Sequence, residues 1–171
     1  QVTRLPFCHA FVSCFPIEEK TGSHDRTTQL FHLYIYPENE VLILEDRKME
    51  FSSFFKERFS LMMGLIICEQ ASNDSETEVS PEVVFFYIYS ILYSLTYRAK
   101  FGQELMGNFP RIPLTSKQKL YLRLAHLGGE LIDLHLRESP TIYNYITKLV
   151  SSKDFQVEKV SYSDETVWID K

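Results

Sequence analysis

The stretch that decides the fold runs from Tyr87 to Leu136 and reads YIYSILYSLTYRAKFGQELMGNFPRIPLTSKQKLYLRLAHLGGELIDLHL. It contains a tyrosine-rich apolar helix, a basic stretch, a turn with two prolines and a long helix. The apolar helix is predicted to begin at Ser80-Pro81 and to reach Tyr97, because Ser80 can cap its first backbone N–H groups and Pro81 has no N–H to leave unpaired. A helix that is apolar nearly all round is expected at the centre of a fold.

A second helical piece is predicted from Arg98 to Met106, ended by Gly107-Asn108. Phe109-Pro110-Arg111-Ile112-Pro113 cannot be helical, because each proline pushes the residue before it towards extended geometry. Thr115 and Gln118 then predict a capping box for the last long helix.

Five leucines in that last helix recur at alternating spacings of four and three and predict one continuous apolar row, called here the leucine row: Leu120, Leu124, Leu127, Leu131 and Leu134. Gly128-Gly129 interrupts the helix. Glycine weakens a helix by about 1 kcal/mol per residue relative to alanine, so another interaction must offset that cost. We expect the close approach of another backbone.

Outside this stretch, the pattern is β at both ends. Apolar residues over Phe7 to Phe15 and alternation over Leu30 to Tyr36 predict strands. A Phe and Met stripe predicts a helix over Asp46 to Leu65, and a shorter amphipathic helix is predicted over Pro140 to Val150.

The predicted fold class is therefore α+β, with a small, mostly antiparallel sheet from the N- and C-terminal segments packed on a helical layer. At 171 residues the chain is expected to form a single domain with one hydrophobic core. That domain would be β-rich over residues 1–45 and mainly helical over 46–150, with an acidic loop at 69–79 and a β-hairpin at 155–169 turning at Ser163-Asp164.

Composition limits the functions that this chain can have. A formal charge of -5 and a pI of about 5.6 argue against an autonomous nucleic-acid binder driven by charge alone. A local excess of cations, called here the basic strip, is nevertheless present, with six bases against the single acid Glu104: Arg98, Lys100, Arg111, Lys117, Lys119 and Arg123. Three cysteines without framework spacing are typical of reduced thiols in a cytoplasmic protein.

Neither a metal site nor a catalytic site is predicted. Cys8, His9, Cys14 and His24 are close in sequence, but their spacing fits no common zinc site. No nucleophile elbow and no glycine-rich phosphate loop occurs, and Cys68 stands beside the acid Glu69, which disfavours a thiolate. We therefore expect no catalytic residue in this chain.

The basic strip is the main candidate site. Arg111 lies between two X-Pro bonds that restrict its backbone, so less ordering entropy would be lost on binding. Lys117 and Lys119 lie in the first turns of a helix, where N–H groups favour phosphate. Arg98 and Lys100 are further candidates for phosphate contacts. The same residues could instead be structural, with Arg111 paired to a buried carboxylate and the lysines on a solvated face.

The polar segment Glu18 to Gln29 is a second candidate, predicted as a loop by its composition. His24, Arg26 and Lys20 carry donors of the kind that reach base edges or phosphates. An exposed polar loop with no ligand would have the same sequence.

Three segments resemble the C-terminal region of type ISP enzymes, the single-polypeptide type I-like restriction-modification enzymes. LFHLYIYPEN (Leu30 to Asn39) is similar to the family's aromatic-aliphatic strand. SPEVVFFYIYSILYSLTYRAKFGQELMGNFPRIPL (Ser80 to Leu114) is similar to its tyrosine-rich helix followed by Tyr-Arg and Phe-Pro-Arg-Ile-Pro, and is the most specific of the three. LAHLGGELIDLHL (Leu124 to Leu136) is similar to its leucine- and histidine-containing helix.

The resemblance implies the C-terminal part of a larger polypeptide, one that recognises double-stranded DNA while methylation and cleavage take place elsewhere. It implies S-adenosylmethionine, ATP and Mg in the parent enzyme, and the methyltransferase domain of the same polypeptide as a partner. No Asn-Pro-Pro-Tyr methylation motif occurs here, so no cofactor is expected in this chain. Tyr97, Phe109, Leu127 and Leu134 match the family's motifs and are expected in the core.

Two alternatives remain open at this level. A structural coupling domain would pack the recognition element against the methyltransferase and make no direct DNA contact; an exposed apolar patch without a positive groove would favour it. A free-standing enzyme would require a carboxylate cluster or a closed metal site in a pocket.

Overall fold

The computed structural model describes residues 10–18, 20–21, 28–35, 48–49, 51–71, 75–145, 159–163 and 166–169. The chain divides into two compact units, Gln1–Thr141 and Ile142–Lys171, which are described separately. The predicted α+β class is confirmed, since the described residues form four α-helices and two small sheets of two strands each.

The helices are α1 (Ser53–Met63), α2 (Pro81–Tyr93), α3 (Leu95–Gly107) and α4 (Gln118–Leu136), and Pro140–Tyr143 forms one turn of 3-10 helix. The strands are β1 (Ile66–Ile67), β2 (Glu78–Val79), β3 (Val160–Ser163) and β4 (Thr166–Ile169).

Helix α1 is shorter than the helix predicted over Asp46 to Leu65. It begins after Ser52, whose hydroxyl accepts a hydrogen bond from the backbone N–H of Phe55 at 3.2 Å. It ends at Gly64, which adopts the left-handed conformation with φ 67° that glycine takes without strain. Local capping at Ser52 and Gly64 therefore sets both ends of α1. The Phe and Met stripe gave a helix that was too long because it contains no information on the caps.

The sheets differ from the predicted arrangement. β1 and β2 pair in parallel, with Ile66 opposite Glu78, so the last two residues of the predicted acidic loop form a strand whose Val79 is buried. In the N-terminal region, the described residues show one isolated antiparallel bridge, between Ile35 and Lys48, where strands were expected. Over the described residues 30–35 of the segment predicted as a strand, this bridge is the β pairing observed, and Tyr36 lies outside the described residues.

The apolar helix predicted from Ser80 to Tyr97 is interrupted at Ser94. α2 ends there, and the Ser94 hydroxyl accepts a hydrogen bond from the Tyr97 backbone N–H at 3.3 Å, which starts α3. Ser80 takes the capping position of α2 but makes no side-chain capping bond. The predicted stop at Gly107-Asn108 and the non-helical turn after it are confirmed.

The core lies where α2 and α4 pack together against the end of α1. The fully buried Phe59 and Tyr121 rings meet edge to face with centroids 5.3 Å apart, and Tyr121 stacks on Tyr87 at 4.4 Å. α2 also contacts the last turn of α4, where Tyr89 Oη and His135 Nδ1 form a hydrogen bond at 2.7 Å. The prediction of a central apolar helix is thus confirmed.

Gly128 and Gly129 lie where α4 touches α2, as their cost in helix stability suggested. A Cβ on Gly128 would lie 1.9 Å from the backbone carbonyl oxygen of Phe86, a distance that no side chain can occupy. The close backbone approach expected from the sequence is therefore present.

The leucine row is not the buried face of α4. The residues buried against the rest of the unit are Tyr121, Ala125, Gly128 and Ile132, one position further round the helix. Leu120, Leu127 and Leu134 remain 46%, 43% and 41% exposed, so the prediction that Leu127 and Leu134 belong to the core is wrong. The glycine contact with α2 decides the orientation, because only that face allows the two backbones to approach.

In the second unit, β3 and β4 form an antiparallel hairpin in which Ser161 lies opposite Trp168. This confirms the predicted hairpin over the part that is described. The helix predicted over Pro140 to Val150 is seen only as the 3-10 turn, and residues 146–150 lie outside the described residues.

Candidate nucleic-acid interface

The turn Phe109–Pro113 is held against the helices by its backbone, which leaves its polar and aromatic side chains on the surface. The Tyr97 hydroxyl donates to the Arg111 carbonyl oxygen at 2.9 Å, and the Tyr87 hydroxyl donates to the Pro113 carbonyl oxygen at 2.6 Å. The half-buried Ile112 packs against the core, whereas Arg111 is exposed. Two prolines and two tyrosine hydroxyls therefore fix the segment that presents Arg111 to solvent.

Lys117 and Lys119 follow at the start of α4, and both are exposed. α4 has no acidic residue in its first turn, so none of that turn's own side chains offsets the positive end of the helix dipole. The predicted capping box is wrong, because α4 begins at Gln118 and Thr115 Oγ1 accepts instead from the backbone N–H of Lys117 at 3.2 Å. Lys117 itself holds the capping position and provides no side-chain cap.

Within the described ranges, none of Arg111, Lys117 and Lys119 forms an ion pair or a side-chain hydrogen bond. The structural alternative in which Arg111 pairs with a buried carboxylate is thus not observed in this part of the chain. Arg111 and Lys117 lie on the segment that joins α3 to α4, and Lys119 lies in the first turn of α4, where the helix N–H groups are. This arrangement suits an anion with several oxygen atoms, such as a phosphate.

The two cations on α3 differ from each other. The Arg98 guanidinium donates from Nε to the Leu92 carbonyl oxygen at 2.5 Å and lies over the Tyr93 ring at 4.3 Å. It is half buried and so has a structural role at the break between α2 and α3. Lys100 is exposed, with Nζ 5.3 Å from the centroid of the Phe101 ring, and its ammonium can still reach a ligand.

Of the three residues predicted to contact bases, only Lys20 is described. It is exposed next to a turn in which the Thr21 hydroxyl donates to the Glu18 carbonyl oxygen at 2.7 Å. His24 and Arg26 lie outside the described residues. The structure therefore shows Arg111, Lys117 and Lys119 exposed, and both the phosphate contacts and the base contacts stay predictions.

An exposed aromatic pair beside the turn was missed at the sequence level. Phe109, expected in the core, is 66% exposed and meets Phe31, which is 69% exposed, edge to face with centroids 5.8 Å apart. Phe31 also lines an open, mostly apolar depression of about 250 Å³ together with Leu30, His32, Leu33, Ile35, Met49 and Phe51. No local signal in the sequence indicates this exposure, since Ile112 also precedes a proline and packs against the core.

Tyr87, whose hydroxyl donates to the Pro113 carbonyl oxygen, and Tyr121, which stacks on Tyr87, are both buried. Burial raises the pKa of Tyr87. Burial, and in addition the nearby Tyr87, raises the pKa of the fully buried Tyr121. The Tyr121 hydroxyl has no hydrogen-bond partner in the described part of the chain.

The raised pKa of Tyr121 predicts a loss of stability at alkaline pH. An unfolded tyrosine loses its proton near pH ~10, whereas the folded protein keeps the proton, so the free energy of unfolding should fall as pH rises above about 10. Tyr121→Phe should make this fall less steep and leave stability at neutral pH nearly unchanged, because no hydrogen bond is lost. Urea unfolding between neutral and alkaline pH would measure both effects. Tyr143→Phe, at an exposed position, is the control; identical pH slopes for the wild type and Tyr121→Phe would contradict the prediction.

Three further properties of the described residues are relevant to function. No group of three or more His, Cys, Asp or Glu side chains in these ranges could hold a metal ion. Cys14 Sγ lies 3.6 Å from Glu138 Oε1, and partial desolvation together with that carboxylate raises the pKa of the thiol. None of the helices in the described part of the chain combines the length and the apolarity that crossing a bilayer requires.

Together these features define an α+β protein whose candidate site is the exposed turn Phe109–Pro113, which carries Arg111, with Lys117 and Lys119 after it; we call these residues the cationic turn. The family model of the type ISP C-terminal specificity domain matches residues 3–171, essentially the whole sequence, and the chain belongs to this family. The comparison with curated proteins and the comparison with solved structures give no match.

Proposed function

We propose that this chain recognises the DNA target sequence of a type I-like restriction-modification enzyme or adenine DNA methyltransferase and is not catalytic by itself. The observation that carries the proposal is the anchored turn, in which Arg111 is exposed without an ion pair in the described residues and is followed by Lys117 and Lys119 at a helix start. Membership of the specificity-domain family supports it.

In this proposal, Arg111, Lys117 and Lys119 contact phosphates and fix the position of the domain on the duplex. Lys100 adds charge from α3, whereas the internal contacts of Arg98 give it a supporting role. Lys20, His24 and Arg26 would reach base edges from the N-terminal loop. The net charge of -5 restricts attraction to this local surface and would limit non-specific binding elsewhere.

The parent enzyme would supply the chemistry. The proposal places S-adenosylmethionine, ATP and Mg in other parts of a cytoplasmic polypeptide, with the methyltransferase domain as the neighbour of this chain. Specificity would then come from how firmly this module holds one sequence while the neighbouring domain modifies a base.

The proposal predicts a change in salt dependence when two cations are removed. Each phosphate contact contributes about 0.9 to the slope of log affinity against log salt for duplex DNA. Arg111→Ala combined with Lys117→Ala should therefore lower that slope by about two and weaken binding similarly for every sequence. Fluorescence anisotropy of labelled duplexes over a salt series would measure the slope for the 171-residue chain.

Lys56→Ala combined with Arg58→Ala is the charge-matched control, because both residues are exposed cations on α1, away from the turn in sequence. It should leave the slope unchanged. An unchanged slope in the double variant would remove Arg111 and Lys117 from the site.

A structural coupling domain is the second candidate, and one observation favours it. Leu120, Leu127 and Leu134 are exposed along one side of α4, which suits packing against another part of the parent enzyme. Such a domain would make no direct DNA contact. If the chain bound no duplex at low salt, coupling would replace recognition as the proposed function.

A further inference from the structure

We propose that Phe31 and Phe109 form an aromatic wedge that stacks on a base step of duplex DNA, with Arg111 on an adjacent phosphate. The proposal rests on the DNA-recognition function and adds a contact to the bases themselves. From the sequence, Phe31 was predicted to lie in a strand and Phe109 in the core.

The pair is exposed to a degree that packing within this unit does not explain. The two rings are 69% and 66% exposed, yet they touch each other edge to face with an interplanar angle of 84°. Keeping two such rings in water forgoes a large part of the free energy that their burial would provide. Because the two rings touch, they form a continuous apolar surface, a feature that occurs at binding sites.

The ring of Phe109 is carried by a backbone that is already ordered. Pro110 restricts Phe109 to extended geometry, and the Tyr97 hydroxyl holds the Arg111 carbonyl oxygen two residues further on. Phe31 supports the ring from the side. Little conformational entropy would therefore be lost when the wedge binds.

Charge identifies the ligand as nucleic acid rather than as an apolar protein surface. Arg111 is exposed two residues after Phe109 and pairs with no acid in the described ranges. An apolar protein partner covering Phe109 would bury this guanidinium without compensation, which is unfavourable. A duplex offers both an apolar base face and a phosphate within the same step, and phenylalanine is among the side chains that insert at base steps.

The leucine row provides an internal comparison. It is also apolar and exposed, but its C-terminal half, with Leu127 and Leu134, lies near Glu130 and Asp133 in sequence, whereas the wedge includes a turn that is followed by Lys117 and Lys119. Phosphates would be repelled there. The two exposed apolar surfaces are thus suited to different partners, and the wedge is the one suited to DNA.

The test uses duplexes enriched by the wild-type chain from a random-sequence pool, with 2-aminopurine placed at successive positions. Insertion should unstack one step and raise the fluorescence at that position. Phe109→Ala should abolish the rise and weaken binding about tenfold, as expected for the loss of one stacked base. Phe31→Ala should reduce both, and Phe109→Trp should retain the rise because indole also stacks.

Phe54→Ala is the matched control, since Phe54 is an equally exposed phenylalanine (70%) on α1 and lies beside Arg58. It should change neither the fluorescence nor the affinity. Circular dichroism would verify that each variant folds, as expected for exposed positions.

The outcomes separate the two proposals. Salt-dependent binding by the wild type without any fluorescence rise, or equal affinity for Phe109→Ala, would overturn the wedge and leave DNA recognition intact. Failure of the wild type to bind any duplex would overturn both. A rise that survives Phe109→Ala would also overturn the wedge, because another residue would then cause the unstacking.

Discussion

Replacing Gly128 with alanine should destabilise the fold by about 3 kcal/mol or more, near the upper end of the cost of overpacking a core. The added Cβ would lie 1.9 Å from the Phe86 carbonyl oxygen and 2.7 Å from the carbonyl carbon. Both atoms are backbone and cannot rotate away. α4 would have to move from α2 by more than about 1 Å to reach ordinary contact distance.

That displacement would spread through the core. The Tyr87–Tyr121 stack and the Phe59–Tyr121 contact both depend on the distance between the helices. Alanine is intrinsically better than glycine in a helix by about 1 kcal/mol, so the measured loss would be the clash minus that gain.

Gly129→Ala is the matched control at the next position on the same helix. Its added Cβ would lie 3.2 Å from Cδ2 of the Phe86 side chain, which can shift by a few tenths of an ångström. We expect stability within about 1 kcal/mol of the wild type, with the helix preference offsetting the contact. Urea unfolding would measure both variants, and a Gly128→Ala chain as stable as Gly129→Ala would show that the helices do not approach as described.

Features set by local chemistry could be predicted from the sequence. The start of α2 at Pro81, the end of α3 near Asn108 and the non-helical turn up to Pro113 all follow from what proline and glycine permit in the backbone. The contact at Gly128 could be predicted because two glycines in a helix are costly unless another backbone needs the space.

Features that depend on partners could not be predicted. Alternating spacings of four and three place five leucines on one side of α4, but they do not say whether that side meets α2. Once Gly128 sets the contact face, Leu127 and Leu134 must lie on its flank. The parallel pairing of β1 with β2 likewise depends on residues brought together by the chain path, since two-residue strands carry no periodicity.

The candidate site was predictable only where it depends on local sequence. Charge and proline spacing indicated Arg111, Lys117 and Lys119, because these are properties of a short segment. The internal role of Arg98 requires the break at Ser94, which places Leu92 and Tyr93 beside its guanidinium. The exposure of Phe109 requires knowledge of which neighbours fail to cover it.

Replacing Phe59 with alanine is the second large effect that we expect, a loss of about 3–5 kcal/mol in the free energy of unfolding. The side chain is fully buried, lies 5.9 Å from Phe55 between ring centroids and joins α1 to Tyr121 on α4. Its removal would leave a cavity against the Tyr121 ring. A loss of this size can account for a third or more of a small domain's stability.

Phe54→Ala tests whether burial is the cause, because Phe54 occupies the same helix but is 70% exposed. Phe54→Ala removes an exposed ring that contacts Arg58 on the same helix, so the additional loss in Phe59→Ala reports packing in the core. Urea midpoints should fall strongly for Phe59→Ala and by a small amount for Phe54→Ala. Equal midpoints would mean that α1 does not close the core over Tyr121, and the support beneath the cationic turn would then have to come from α2 and α3 alone.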